Sequence, residues 1–273
     1  MTRRTPTEHS IASRHQTGDP VIVLHGLLRS RWSMEPVRRR LLREGYEPIA
    51  LTYPSRRQSP EQLVAFLHQR LQPIRERLAA DAGRGRPRRL HFVTHSLGGI
   101  LTRAYLEQHP LPADQQGRIV MLAPPNQGSE IVDRLGPLRL FGWVFGGTGQ
   151  QLGTGQDSLP NRVGVPDAEI GVVAGERSVN PIGSWLLGGP GDGAVRVDRT
   201  RLPEPADRLS ESAAAPASVR SHDALVGRQD WIALPANHTT IMWQRPVLEQ
   251  TLHFLRYGSF ERVEQPESDG QPG

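Results

Sequence analysis

The sequence predicts an α/β fold, a mostly parallel sheet with helices on both faces. Two observations carry this expectation. Short, β-branched apolar runs recur along the chain. Between them lie segments with helical character, one of them bearing a clear apolar stripe.

The elements follow in order. "VIVLHG" (21–26) is β-branched, closed by Gly, and reads as a buried strand. "SMEPVRRRLLREG" (33–45) has helical character and a Gly stop. "YEPIALTYP" (46–54) reads as a second strand. A long helix is predicted from Ser59, where Pro60 and Glu61 form a start signal. Its apolar residues Leu63, Leu67, Leu71, Ile74 and Leu78 fall on one stripe. "RLHFVT" (89–94) predicts a third strand, and a helix over Leu97 to Gln108 follows. "GRIVMLAPP" (117–125), "AEIGVVAGE" (168–176) and "DWIALPA" (230–236) predict three more strands. A last helix is expected over Gln244 to Tyr257.

Three segments interrupt the alternation. Residues 130–167 are Gly-rich but carry the apolar "LRLFGWVFGG", Ser178 to Arg201 reads as loop, and 203–219 is polar, Ala-rich and of low complexity. The expected organisation is a flexible segment over 1–19, one domain over 20–258 with inserts at about 130–167 and 203–219, and a flexible tail over 259–273.

Composition narrows the function. The 273 residues suffice for a buried core, and 36% hydrophobic content is that of a globular protein. With no cysteine, disulfides, thiolate metal sites and a cysteine nucleophile are excluded. The net charge is +5, and all the basic residues are Arg. They are scattered without interleaved aromatics, so no nucleic-acid partner is expected. The first residues carry two arginines but no apolar run, which is unlike a secretory signal. No stretch is long enough for a membrane span, so a cytoplasmic location without stable membrane insertion is expected.

"VTHSLGG" (93–99) places Ser96 at a corner between strand and helix. A serine hydroxyl becomes a useful nucleophile when a neighbouring base takes its proton. A tight strand-to-helix turn lifts the side chain out of the sheet and needs small neighbours. With "VLHG", "LAPPNQGS" (122–129), "GPGDGAV" (189–195) and "LPANHTTIM" (234–242), this chain resembles the α/β-hydrolase superfamily, in its lipase and esterase branch. The quoted segments spread over about 21–257. Thr94 departs from the pattern, since the commonest family motif has Gly there.

The resemblance implies an α/β-hydrolase fold and a triad in the order Ser, acid, His. It implies Ser96 as nucleophile. After the elbow come His109, His222, His238 and His253, and His238 matches the family's position in the loop after a late strand. For the acid, Asp192 fits the family's Asp-Gly-x-Val pattern; Glu176, at the end of a strand, is the alternative, with Asp198 and Asp223 further behind. The backbone N–H groups of Leu97 and Leu27 are implied as oxyanion donors. "LAPPNQGS" is expected to shape the pocket rim. The implied activity is hydrolysis of carboxylic esters with lipid-like or apolar acyl groups. An acyltransferase with the same triad and an idle hydrolase fold used for binding are the alternatives. No cofactor or metal is implied, and oligomeric state is open. "LGPLRLFGWVFGG" (135–147) is read as a cap over the acyl site or as a helix packed in the core.

Overall fold

The computed structural model describes residues 18–179, 181–203 and 229–262. Most of the expected N-terminal segment, nearly all of the low-complexity insert, His222, Asp223 and the tail beyond 262 lie outside them.

Among the described residues, six strands form one sheet: β1 (Pro20–Leu24), β2 (Glu47–Leu51), β3 (Leu90–His95), β4 (Gln116–Leu122), β5 (Ile170–Gly175) and β6 (Gln229–Leu234). Their order is β2-β1-β3-β4-β5-β6, and every neighbouring pair is parallel. The fold is α/β, with helices α1 (Glu35–Arg43), α2 (Pro60–Gly83), α3 (Leu97–Gln108) and α8 (Arg245–Tyr257) around the sheet.

Successive strand side chains point to opposite faces. Ile22, Leu24 and Phe92 join one core with the buried residues of α2 and α3. Val21, Val23, Val93, Val120 and Val173 join a second core with Val37 and Leu41 of α1 and Val247, Phe254 and Leu255 of α8. Both faces of the sheet are therefore dry, which is why its central strands carry no polar alternation. The predicted stripe on α2 is inward-facing, with Leu63, Leu67, Leu71 and Leu78 buried and Ile74 packed at the edge of the core. Ser59 begins that helix with a capping box: its Oγ accepts from Gln62 N–H at 3.3 Å, and Gln62 Oε1 accepts from Ser59 N–H at 2.9 Å.

Residues 130–167 contain α4 (Glu130–Leu135), α5 (Arg139–Gln150) and α6 (Leu159–Arg162), and α5 is interrupted by non-helical backbone at Gly146. The stretch read as loop from Ser178 holds a helix, α7 (Pro181–Leu187). Two turns are too short to show a period, and its exposed Ile182 and Trp185 beside buried Leu186 and Leu187 blur the pattern further. No helix of the described residues is long and apolar enough to cross a membrane.

One polar residue ties these parts together. Arg103, fully buried on α3, donates to the carbonyls of Gly164 (3.1 Å), Asn126 (3.2 Å), Pro160 (3.0 Å) and Val163 and to Asn126 Oδ1 (3.1 Å). Burial pushes its pKa down to about 10, and the carbonyl cage offsets the missing water. Arg103→Met should lower stability by about 3 kcal/mol or more, because an unsatisfied buried carbonyl costs about 1–3 kcal/mol and several are left together. The check is the urea midpoint; an unchanged midpoint would mean that these carbonyls reach other donors.

Candidate active site

β1 and β2 run to one side of the sheet, β3 to β6 to the other. The chain thus reverses direction between β1 and β3, and clefts in parallel sheets open at the carboxyl ends of strands flanking such a point. Leu27 lies three residues past β1, and Ser96 directly follows β3.

Ser96 has φ 51° and ψ −120°. Its N–H donates to the Leu122 carbonyl at 2.9 Å, so the corner is pinned to β4. Helix α3 starts at the next residue, Leu97. The corner needs room: a Cβ at Gly98 would sit 2.9 Å from the His25 carbonyl oxygen and 3.0 Å from Leu24. Thr94 fits where the commonest pattern has Gly. Its buried hydroxyl donates to the Val120 carbonyl at 3.4 Å, and it faces Gly99.

The structure brings Ser96, His238 and Asp192 into one hydrogen-bonded chain. His238 Nε2 lies 3.1 Å from Ser96 Oγ, and His238 Nδ1 lies 2.7 Å from Asp192 Oδ2. A carboxylate only accepts, so Nδ1 carries the proton and Nε2 can accept from the hydroxyl. Asp192 occupies a tight turn in which Gly193 has φ 97°. Its Oδ1 accepts from the N–H groups of Ala194 (3.0 Å) and Val195 (2.8 Å), leaving Oδ2 for His238. The carboxylate side chain is fully buried, so this turn both forms the corner and aims the acid. The main chain repeats the link, since His238 N–H donates to the Asp192 carbonyl at 3.0 Å.

The other candidates lie elsewhere. Glu176 is exposed, and Asp198 pairs with Arg196 at 2.8 Å. His109 stacks on His68 at 3.8 Å, and His253 donates from Nδ1 to the Ser259 carbonyl at 2.8 Å.

Sequence reasoning missed His25 and Tyr53, which frame the loop after β1. His25 Nδ1 donates to the Gly26 carbonyl at 2.7 Å, and Nε2 accepts from Tyr53 N–H at 3.2 Å. The rings stack at 4.1 Å, and the Tyr53 hydroxyl donates to the His25 carbonyl. Burial, aided by Arg29, brings the His25 pKa down to about 4, so the ring is neutral at neutral pH. A trans peptide sets its C=O and N–H in opposite directions. Holding the Gly26 carbonyl therefore fixes the direction of the Leu27 N–H. In the sequence, His before Gly reads as an ordinary turn, and Tyr53 gives no signal of its contact 28 residues away.

One expectation needs correction. "LAPPNQGS" does not form a rim. Asn126 is fully buried and donates from Nδ2 to the Thr200 carbonyl at 2.8 Å, while the nearly buried Ser129 donates from Oγ to the Ala194 carbonyl at 2.7 Å. The segment is a buttress behind the turn that presents Asp192. Trp143, in the apolar stretch read as a cap or a core helix, is 71% exposed, with the Arg56 guanidinium 5.5 Å from its ring centre. Gly149, later on α5, is the part that touches the site loop: a Cβ there would lie 3.0 Å from Leu27 Cδ2.

The description "Alpha/beta hydrolase family" belongs to a family model that matches residues 21–265. Among solved structures, a lipase of Bacillus licheniformis in mature form is similar, with a TM-score of 0.61 at 18% identity over 92% of this chain and 96% of that one. An esterase of Pyrococcus furiosus has a TM-score of 0.55 at 17% identity over 88% of this chain and 82% of that one. At such identities the likeness is one of fold. No curated protein matches in sequence.

The backbone at Ser96 generates a prediction. Strain of this kind costs about 1–3 kcal/mol in a non-glycine residue. Ser96→Gly should therefore be at least as stable as Ser96→Ala, although glycine elsewhere costs about 0.5–1 kcal/mol relative to alanine. Both variants lose the hydroxyl, so paired denaturation curves isolate the backbone. A glycine variant clearly less stable than the alanine variant would show that the corner is unstrained.

Proposed function

The chain belongs to the alpha/beta hydrolase family, and on that premise we propose that it hydrolyses carboxylic esters with apolar, lipid-like acyl groups. The observation that carries this reading is the hydrogen-bonded chain Ser96–His238–Asp192, with its donor distances of 3.1 and 2.7 Å.

In the proposed cycle, Ser96 Oγ bonds to the ester carbonyl carbon while His238 Nε2 takes the hydroxyl proton. The buried Asp192 carboxylate holds the imidazolium that results. Negative charge gathers on the carbonyl oxygen, and the N–H groups of Leu97 and Leu27 are its donors. Leu97 opens α3, where helix N–H groups are unpaired and the dipole favours an anion. The carbon–oxygen bond to the leaving alcohol then breaks, and His238 returns its proton to that oxygen. Water attacks the acyl-enzyme by the same route in reverse, giving up a proton to His238. The carboxylic acid leaves as Ser96 regains its hydrogen.

In this reading residues 130–167 are the cap. Support comes from Gly149 of α5 against Leu27, and from half-buried Phe145 one turn earlier. The acyl chain would then lie beneath α5, on the Phe145 side and away from exposed Trp143.

The triad assignment predicts an ordered set of losses. Ser96→Ala should lower p-nitrophenyl ester hydrolysis by several orders of magnitude and abolish labelling by a fluorophosphonate probe, leaving a residual rate about 10³–10⁴ above water. Asp192→Asn should cost about 10⁴ in kcat by presenting the wrong tautomer of His238. Glu176→Gln should change little. Probe labelling at another serine, or an active Asp192→Asn enzyme beside an inactive Glu176→Gln enzyme, would reject the assignment.

The cap reading predicts a dependence on chain length. Each buried CH₂ is worth about 0.8 kcal/mol. Phe145→Ser should reduce kcat/KM for long-chain esters far more than for acetate, whereas Trp143→Ser should affect both little. Equal losses on both substrates for Phe145→Ser, with a large fall in Tm, would make Phe145 a core residue.

A further inference from the structure

We propose that His95 is a positioning residue, one that holds the main chain of His238 and seats the Gly26 loop from beneath the site. This rests on the ester-hydrolase reading above. His95 ends β3 directly before Ser96 and is almost completely buried. Its Nε2 lies 3.0 Å from the His238 carbonyl oxygen. A carbonyl only accepts, so Nε2 carries the hydrogen and Nδ1 is bare. That Nδ1 is buried and has no hydrogen-bond partner.

The bare edge of the ring faces the loop after β1. A Cβ at Gly26 would lie 2.7 Å from His95 Nδ1, 3.1 Å from Cε1 and 3.2 Å from Ser96 Cβ. The backbone of Gly26 is therefore packed close against the edge of the imidazole, and Leu27 is the next residue. The His95 and His238 rings are 4.9 Å apart at centre. One side chain thus touches the loop of the proposed base and the loop of a proposed oxyanion donor, and its own backbone leads into the nucleophile.

The grip on His238 is two-sided. Asp192 takes its main-chain N–H at 3.0 Å and its Nδ1 at 2.7 Å, and His95 takes its main-chain carbonyl. Without His95, the main chain of His238 would keep only its bond to Asp192 among the described residues. A packing role does not account for the imidazole, because a leucine or phenylalanine would fill a buried position without stranding a polar nitrogen. The ring also stays uncharged: burial, with His238 and Arg29 nearby, holds its pKa well below the ordinary histidine value. A neutral ring does not oppose the imidazolium that forms on His238.

The test compares His95→Gln, His95→Asn and His95→Phe in the full chain, using p-nitrophenyl butyrate and a fluorophosphonate probe. The amide nitrogen of Gln reaches about where Nε2 lies, whereas that of Asn stops near Nδ1. His95→Gln should keep kcat close to wild type. His95→Asn and His95→Phe should lose about 10²-fold in kcat with little change in KM, the scale expected when a reacting group is misplaced by about 1 Å. Probe labelling should slow in parallel. Wild-type kcat in the Asn or Phe variant would overturn the proposal, as would equal losses in all three or failure of all three to fold. If only His95→Phe fails to fold, the Gln and Asn pair decides. A wild-type chain that neither cleaves the ester nor takes the probe refutes the hydrolase reading itself. An active wild type with indifferent variants refutes only the role of His95.

Discussion

The backbone corner at Ser96 is the constraint around which the rest is arranged. A residue at φ 51° cannot continue β3, so the chain must turn off the sheet there. α3 then starts close against β1, and only a glycine at 98 allows it. Among the described residues, the non-glycine positions with positive φ are Leu28, Ser96 and Ala123. They follow β1, β3 and β4, all at the carboxyl edge near the point where strand order reverses. Positive-φ backbone is concentrated at that edge, and the sheet beneath is dry on both faces.

The proposed chemistry at this corner requires that Asp192 and His238, its proposed acid and base, be held in place. A buried polar network holds them. Arg103 on α3 grips Asn126, Asn126 grips the carbonyl of Thr200, and Ser129 grips that of Ala194 beside Asp192. Each link crosses between elements far apart in sequence, and each is shielded from water, where a missing partner is expensive. The same arginine binds the carbonyls around Val163 that end the 130–167 insert. Any movement of α5 over Leu27 would therefore pivot on a base anchored to the helix that carries the nucleophile's corner.

How much of this the sequence disclosed follows from the range of the forces involved. The strands, α2 and α3 were legible because burial of one stripe or run writes a period into neighbouring residues. The helix start at Ser59 was legible, since a helix cap is local, but the half of the capping box made by Gln62 was not read. Helix α7 was not: seven residues cannot display a period, and its Trp185 is exposed. Ser96 was marked locally by its corner between strand and helix, but His238 and Asp192 stood out only through resemblance, because nothing local in "NHT" or "GDG" states which histidine meets which carboxylate. The clasp of His25 and Tyr53, and the contact of His95 with His238, were illegible for a stronger reason. Each depends on register between strands and on loops 28 to 143 residues away. The buttress role of "LAPPNQGS" was hidden likewise, since Asn and Ser in a loop look the same whether they face water or a buried carbonyl.

Three imidazoles crowd this site, and their environments separate them. His25 and His95 are enclosed, and burial drives both toward the neutral form. Each uses its N–H on a backbone carbonyl, that of Gly26 or of His238. His238 is the one of the three with a carboxylate on one nitrogen and a hydroxyl on the other. Charge can therefore appear on His238 with a single compensating neighbour and without repulsion from the other two rings. A neutral histidine suits the supporting positions because it donates directionally and fills the space of an aromatic ring. An arginine or lysine there would bring a full positive charge within a few ångströms of the imidazolium of the proposed cycle, opposing the step that the Asp192 carboxylate would favour. The burial that hides His25 and His95 from solvent is thus also what keeps them electrostatically silent beside the group that changes its charge in the proposed cycle.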